Sequence, residues 1–236
     1  MVAMNLLAVD TSSGQGSLAL ARDDGRCEVV ALTAEWKSTT LHAELARLLE
    51  RHRLTSRDLD GYAVANGPGA FTGLRIGLAA VKALAEVHAK RIVTISTLKV
   101  VAAAGKELLP ASFSGELAAL QDARRGQVFG ALFRVEGQMF HQLIGDCVCS
   151  LPAFLERVRS AGCVDLRFCS TDLDSFAAEI RTAGWSDRAL LAVSPNLAGT
   201  LARIGIERLK QGRGLEAAAA EANYVRPSDA EIFWKG

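Results

Sequence analysis

Residues 4–33 read MNLLAVDTSSGQGSLALARDDGRCEVVALT, and three short apolar runs within them decide the fold. Met4 to Val9 is apolar and closes on Asp10. Ser17 to Ala21 forms a second run, and Cys27 to Thr33 a third. Asp23-Asp24-Gly25 separates the last two, and an Asp-Gly pair between apolar runs is a strong hairpin signal. The segment therefore predicts three strands joined by tight turns. Moving outward, Ser38 or Thr39 caps a helix that reaches about His52. Leu41, Leu45, Leu48, Leu49 and His52 fall on one face at helical spacing, while Glu44, Arg47, Glu50 and Arg51 fall on the other. Leu59 to Ala65 reads as a fourth strand, closed by Asn66-Gly67-Pro68-Gly69. A long helix follows from Thr72 to Lys90, then a strand from Arg91 to Ile95 and a helix from Thr97 to Leu109.

Three antiparallel strands followed by helix, strand, helix, strand, helix is the order of a ribonuclease-H-like or actin-like lobe, an α/β fold. Pro110 to Gly115 reads as a linker, which sets expected domains at 1–109 and 110–236. In the second part, strands are expected over Glu116–Gln121, Val128–Val135, Met139–Cys149, Leu166–Cys169 and Leu190–Val193. Helices are expected over Pro152–Arg159, Ser175–Thr182 and Asn196–Lys210. The last helix and tail are expected to pack back on the first lobe. The tail from Gly212 is Gly- and Ala-rich, then charged, and reads as partly mobile.

Half of the 236 residues are apolar, enough to bury a sizeable core. The 27 basic and 26 acidic residues leave a net charge of +1, which gives no support for binding nucleic acid unaided. No apolar run is long enough to span a membrane. The start lacks the basic and small-residue pattern of a secretory signal. Five cysteines with no regular framework suit reduced thiols in the cytoplasm. Cys147 and Cys149 share a strand face, but Cys163 and Cys169 lack the tight pairing that would complete a zinc site. No metal site is expected.

Two segments carry candidate chemistry. Asp10-Thr11-Ser12 places a carboxylate and two hydroxyls at a strand's carboxyl end, where a metal-bound phosphate could be held. The same residues also make ordinary turns through local backbone bonds. The second segment is Asn66–Gly77, NGPGAFTGLRIG, a Gly-rich turn feeding a helix N-terminus. Free amides and the dipole there suit an anion, with Gly67, Gly69 and Thr72 nearest to it. No Gly-Lys-Ser/Thr closes the loop and no GxGxxG spacing occurs, so it is not one of the common nucleotide loops. Glycines that permit close backbone packing explain the segment equally well.

GPGAFTGLRIG closely resembles the GPGSFTGLRIG signature of TsaB (YeaZ-type) proteins, with a more distant likeness to their catalytic paralogues, TsaD and Kae1. LLAVDTSSGQGSLAL is similar to the family's start. Leu120 to Phe129 resembles its DAR-x-G-E/Q-V-aromatic strand pair, and Tyr224-Val225-Arg226-Pro227 its YLRP-like close. The resemblance implies two actin-like (ASKHA) lobes, the second reduced. It also implies a cytoplasmic subunit of the assembly that forms N6-threonylcarbamoyladenosine (t6A) at position 37 of ANN-decoding tRNAs. The implied partners are a TsaD-type transferase and a TsaE-type ATPase. tRNA would be reached only through the complex, and the chain would form a homodimer when alone. The catalytic branch carries an H-x-x-x-H metal motif where this chain has Thr97 and Val101, and valine has no lone pair to give. A non-catalytic subunit is therefore expected, without a tightly bound cofactor and with ATP or ADP placed at the complex interface. The alternative is an ATP-dependent small-molecule kinase of the actin-like fold, with Asp10 as metal carboxylate.

The long helix is apolar over most of its circumference. Leu74, Leu78, Val81 and Ala85 form one face. Ile76, Ala80, Ala83, Leu84 and Val87, with Gly73 and Gly77, form another, and only Arg75, Lys82 and Glu86, with Ala79 between, make a polar ridge. A helix on a sheet needs one apolar stripe. The first helix or a partner must cover the second face. The resemblance implies a partner interface from these two helices, with Leu41, His42, Leu45, Arg75, Ala79, Lys82, Ala83 and Glu86 as candidates.

Overall fold

The computed structural model describes residues 3–32 and 38–226. Two compact units emerge. One takes the chain through Thr97 together with Pro195–Asn223, the other Leu98–Ser194 together with the chain from Tyr224.

In the first unit, β1 (Asn5–Asp10) pairs antiparallel with β2 (Ser17–Arg22), and β2 with β3 (Cys27–Ala31). The β2–β3 turn uses Gly25 at φ +94°, a conformation that glycine adopts without a Cβ penalty. On its other side β1 pairs parallel with β4 (Gly61–Ala65), and β4 with β5 (Arg91–Ile95), giving the order β3-β2-β1-β4-β5. Side chains alternate between faces. Leu7, Val9, Leu18, Leu20, Tyr62 and Val64 join one core with α1 (Ser38–Arg51) and α2 (Phe71–Val87). Leu6 and Ala63 point to the opposite face and meet α6 (Ala198–Lys210), where a Cβ on Gly205 would stand 2.7 Å from that of Ala63. Burial on both faces is why β1 and β4 read as continuous apolar runs rather than alternating ones.

The second unit repeats the arrangement. β6 (Gly115–Asp122), β7 (Gln127–Glu136) and β8 (Met139–Ser150) are antiparallel neighbours. β9 (Leu166–Ser170) and β10 (Leu190–Ala192) add in parallel, in the order β10-β9-β6-β7-β8. α4 (Leu151–Ser160) and α5 (Asp174–Thr182) cover one face around Phe154, Phe168 and Ile180. α3 (Thr97–Glu107) belongs to the other. Its Gly105 abuts Cys169, and its Lys99 ammonium sits 3.4 Å from the Phe140 ring centroid.

Each sheet is thus three antiparallel strands and two parallel ones, with helices after the third, fourth and fifth strands. The closing helix of each set is counted with the other unit. The boundary accordingly falls at Thr97/Leu98 instead of at 109/110: Lys99 of α3 lies over Phe133 and Phe140 and Gly105 meets Cys169, while α6 packs on the first sheet.

The segment after α6 is not a loose tail where it is described. Leu215 and Ile92 exchange backbone hydrogen bonds of 2.9 and 2.7 Å. A 3-10 turn at Ala217–Ala219 follows, and Ala217 and Ala220 are buried in the first unit's core. The Asn223 amide donates to Asn66 O at 2.7 Å, and Asn66 Nδ2 donates to Glu221 O at 2.9 Å. Small residues let this strap lie flat on α2, which composition alone disguises as mobility. Thr33 and Pro227 lie outside the described residues.

Candidate functional site

Asp10, Thr11 and Ser12 end β1 and are all inside the fold, none more than 1% exposed. The Ser12 amide and hydroxyl both donate to Asp10 Oδ1, at 3.0 and 2.7 Å, which closes a turn on the carboxylate. Asp10 Oδ2 is buried and meets no donor among the described residues. Burial pushes the Asp10 pKa up, while the two Ser12 hydrogen bonds pull it down. Thr11 Oγ1 donates to Gly73 O of α2 at 2.8 Å. The Ala70 amide, at the entrance of α2, donates to Ser12 O at 2.7 Å.

The glycines of the second segment make these contacts sterically possible. A Cβ on Gly69 would overlap Ser12 O, and one on Gly77 would overlap Thr11 Oγ1. Gly67 has φ +117°, and a Cβ there would lie 2.6 Å from Asn223 O. Thr72 alone of the anion candidates is exposed; Gly69 is half-buried and Gly67 buried. The structure uses Asp10, Thr11, Ser12, Gly67 and Gly69 in internal contacts, with the hydroxyls of Thr11 and Ser12 both engaged, and leaves Thr72 outside them. The carboxyl ends of parallel strands, where ligands of open α/β sheets bind, here hold Asp10, Gly67 and Thr97. Thr97 donates its amide to Gly67 O at 2.8 Å, and its hydroxyl is buried and meets no partner among the described residues. Val101 is 1% exposed. Among the described residues no three His, Cys, Asp or Glu side chains are grouped to hold a metal. Thr97 and Val101 do not fit the metal of the catalytic branch.

The interface candidates divide. Leu41 and Leu45 are 0% and 7% exposed and belong to the first unit's core, so the expectation that they face a partner is corrected. They form the apolar stripe by which α1 holds its sheet. His42 is exposed, with its Nδ1 2.8 Å from Ser38 O. Lys82 is half-buried because its ammonium donates to Ala220 O at 3.0 Å and, more weakly, to Ala218 O. Arg75, Ala79, Ala83 and Glu86 are exposed and line one stripe of α2, with Val87 beside them at 76% exposure. Gly73, Gly77 and Ala80 are buried instead, so the second apolar face is partly internal. The strap covers another part of α2, a solution the helical wheel did not contain. Its signal was present in Leu215, Ala217 and Ala220. Elsewhere, Arg124 pairs with Asp122 at 3.3 Å and donates its amide to the same carboxylate, a hairpin set.

A model of the TsaD family, tRNA N6-adenosine threonylcarbamoyltransferase, matches residues 29–178. The chain belongs to this family. Within it the likeness is to the TsaB (YeaZ-type) members. The tRNA threonylcarbamoyladenosine biosynthesis protein TsaB of Bacillus subtilis is 32% identical over 157 residues, 66% of each chain. TsaB of Haemophilus influenzae is 27% identical across 98% of this chain and 96% of its own. A Pseudomonas aeruginosa crystal structure, described as an uncharacterized protein with similarity to peptidase YeaZ, superposes with a TM-score of 0.78. It is 25% identical and is matched over 94% of this chain and 100% of its own. YeaZ from the same organism, at 24% identity and TM-score 0.74, shares the fold. The TsaB/YeaZ-type chain therefore has the actin-like, ribonuclease-H-like fold expected from its strand order. Among its described residues, no helix is long and apolar enough to cross a membrane.

Proposed function

We propose that this chain is a supporting, non-catalytic subunit in the biosynthesis of t6A on tRNA. The reading puts it beside a TsaD-type transferase, which it binds through the exposed α2 stripe of Arg75, Ala79, Ala83 and Glu86 and through exposed His42 of α1. The observation that carries the reading is the pair Thr97 and Val101. Where the catalytic branch's metal histidines are expected, this chain has one hydroxyl and one hydrocarbon, both packed into the interior at 0% and 1% exposure. Substituted, buried ligand positions supply neither electron pairs nor an open coordination site. The TsaB relatives supply the biosynthetic context.

On this reading the chain works in the cytoplasm and holds no catalytic cofactor for t6A formation. ATP or ADP binds across a shared interface, since Asp10 is enclosed within this chain at 0% exposure. tRNA and a TsaE-type ATPase are met in the assembly, and the chain pairs with a second copy when its partner is absent.

The test is co-purification with the TsaD-type homologue of the same cell, followed by reconstituted tRNA modification with each protein omitted in turn. Stable co-elution, and loss of t6A when this chain is left out, are expected. Full modification without it, or t6A made by this chain with the transferase omitted, would sink the proposal.

A further inference from the structure

Two thiols lie together in the second unit, far in sequence from the α2 stripe. Cys147 and Cys149 sit two apart on β8, opposite Gly130 and Val128 of β7. Residues two apart on a strand face the same way, and both cysteines pack half-buried against the core that contains Phe154 and Phe168. β8 is the edge of its sheet, so one flank of the pair is not covered by another strand. Cys147 Sγ donates to Gly130 O at 3.3 Å, which orients the first thiol. The Cys149 thiol lies within hydrogen-bonding reach of the Cys147 thiol and of the Arg157 side chain on α4. None of the five cysteines is in a disulfide.

Two chemistries suit paired thiols, and strand geometry chooses between them. Two residues along a strand separate the Cα atoms by about 6.4–6.8 Å. That is the upper limit for a disulfide, and the parallel Cα–Cβ vectors of a strand hold the Cβ atoms well beyond the roughly 3.5–4.5 Å a disulfide needs. A metal ion between the sulfurs relaxes this demand. Metal–thiolate bonds of about 2.3 Å on opposite sides of an ion put the sulfurs about 4.6 Å apart. Rotation about the two Cα–Cβ bonds can meet that spacing with the strand intact.

We propose that Cys147 and Cys149 form a two-thiolate site for a soft monovalent cation of the Cu(I) class. Soft thiolates select such ions, and hard cations would require oxygen ligands that the pair does not offer. Two neutral thiols and one cation give a bis-thiolate complex of charge −1 and two released protons. Two sulfur–metal bonds form, two S–H bonds break, and no electron is transferred. The Arg157 guanidinium beside Cys149 offsets the resulting negative charge. Binding displaces the thiol protons, so uptake strengthens as pH rises.

The experiment is an anaerobic titration of the full chain against Cu(I) held by a chromophoric chelator, with proton release and sulfur coordination followed by pH-stat and X-ray absorption. Wild type is expected to remove one equivalent, with two sulfur ligands. Cys147→Ser and Cys149→Ser should each weaken retention by roughly 100-fold, the upper range for disturbing even a supporting shell. Cys27→Ser and Cys163→Ser should leave it unchanged. Failure of wild type to compete with the chelator overturns the site without reference to any variant. So does retention of the equivalent by the folded Cys147→Ser/Cys149→Ser double variant, or a coordination of three or more sulfurs.

Discussion

Gly77→Ala tests whether the Gly-rich segment exists for packing. Alanine in place of an interior helical glycine should by propensity stabilise α2 by about 1 kcal/mol. Against this, the new Cβ overlaps Thr11 Oγ1, a hydroxyl that is fully buried and bonded to Gly73 O. Displacing it costs about 1 kcal/mol for the hydrogen bond, and forcing a methyl into a filled site costs about 1–3 kcal/mol more. The net expectation is a destabilisation of about 1–3 kcal/mol. Urea denaturation should show it as a lower midpoint with an unchanged slope. Thr11→Ala removes the obstructing oxygen, so the double variant should be more stable than the two single losses predict, with a coupling of about 0.5–3 kcal/mol. Folded Gly77→Ala should still bind the TsaD-type homologue. If Gly77→Ala is as stable as wild type, or if the Thr11→Ala background gives no relief, the packing account is wrong.

Three further outcomes follow from the same geometry. Ala83 is exposed, so Ala83→Arg should change stability by no more than about 0.5 kcal/mol and leave the circular dichroism spectrum intact. It should nonetheless abolish co-elution with the TsaD-type homologue, and a folded variant that still binds would move the interface elsewhere. Lys82→Met removes the ammonium that holds Ala220 O and Ala218 O, and hydrogen exchange should rise across residues 217–223 ahead of α2 itself. Uniform exchange would show that the strap does not depend on Lys82. Burial raises the Asp10 pKa above its ordinary value of 3.8, so the native state binds that proton more tightly than the unfolded chain. The associated stability is complete below 3.8, and is lost as pH rises through the raised native value. Asp10→Asn, which keeps an Oδ1 for Ser12, should flatten that part of the stability curve; an unchanged pH dependence would contradict it.

Strand order was legible in the sequence because its signals are local. β5 ends where its β-branched run, Ile92 to Ile95, ends, and Asp24-Gly25 marked the β2–β3 turn. The second sheet was legible strand by strand but not as a repeat of the first, since topology is conserved there while spacing and composition are not. The boundary at 109/110 followed the Pro-containing linker, but chain connection and packing part company at α3. Gly105 fits against Cys169, so the helix is held by the strands that come after it. Such a contact joins residues 64 positions apart in sequence (169 − 105) and leaves no local pattern.

α2 shows where a helical wheel stops being informative. The wheel counts apolar residues but cannot distinguish a glycine facing a threonine hydroxyl from an alanine facing solvent. Gly73 and Gly77 lie against Thr11, in the turn after β1, while Ala80 is buried in the core. Ala79 and Ala83 are equally small, yet among the described residues both are left exposed. The strap takes up Lys82, which removes one charge from the ridge and leaves Arg75 and Glu86 bracketing two methyl groups. The Arg75 guanidinium lies 3.8 Å above the Phe71 ring, which limits its freedom before any partner arrives. A stripe of low relief between fixed charges permits another helix to approach closely and gives the approach a direction. On the proposed function, assembly uses the part of α2 that intramolecular packing leaves over. Leu41 and Leu45 are committed to the core, where they hold α1 in place.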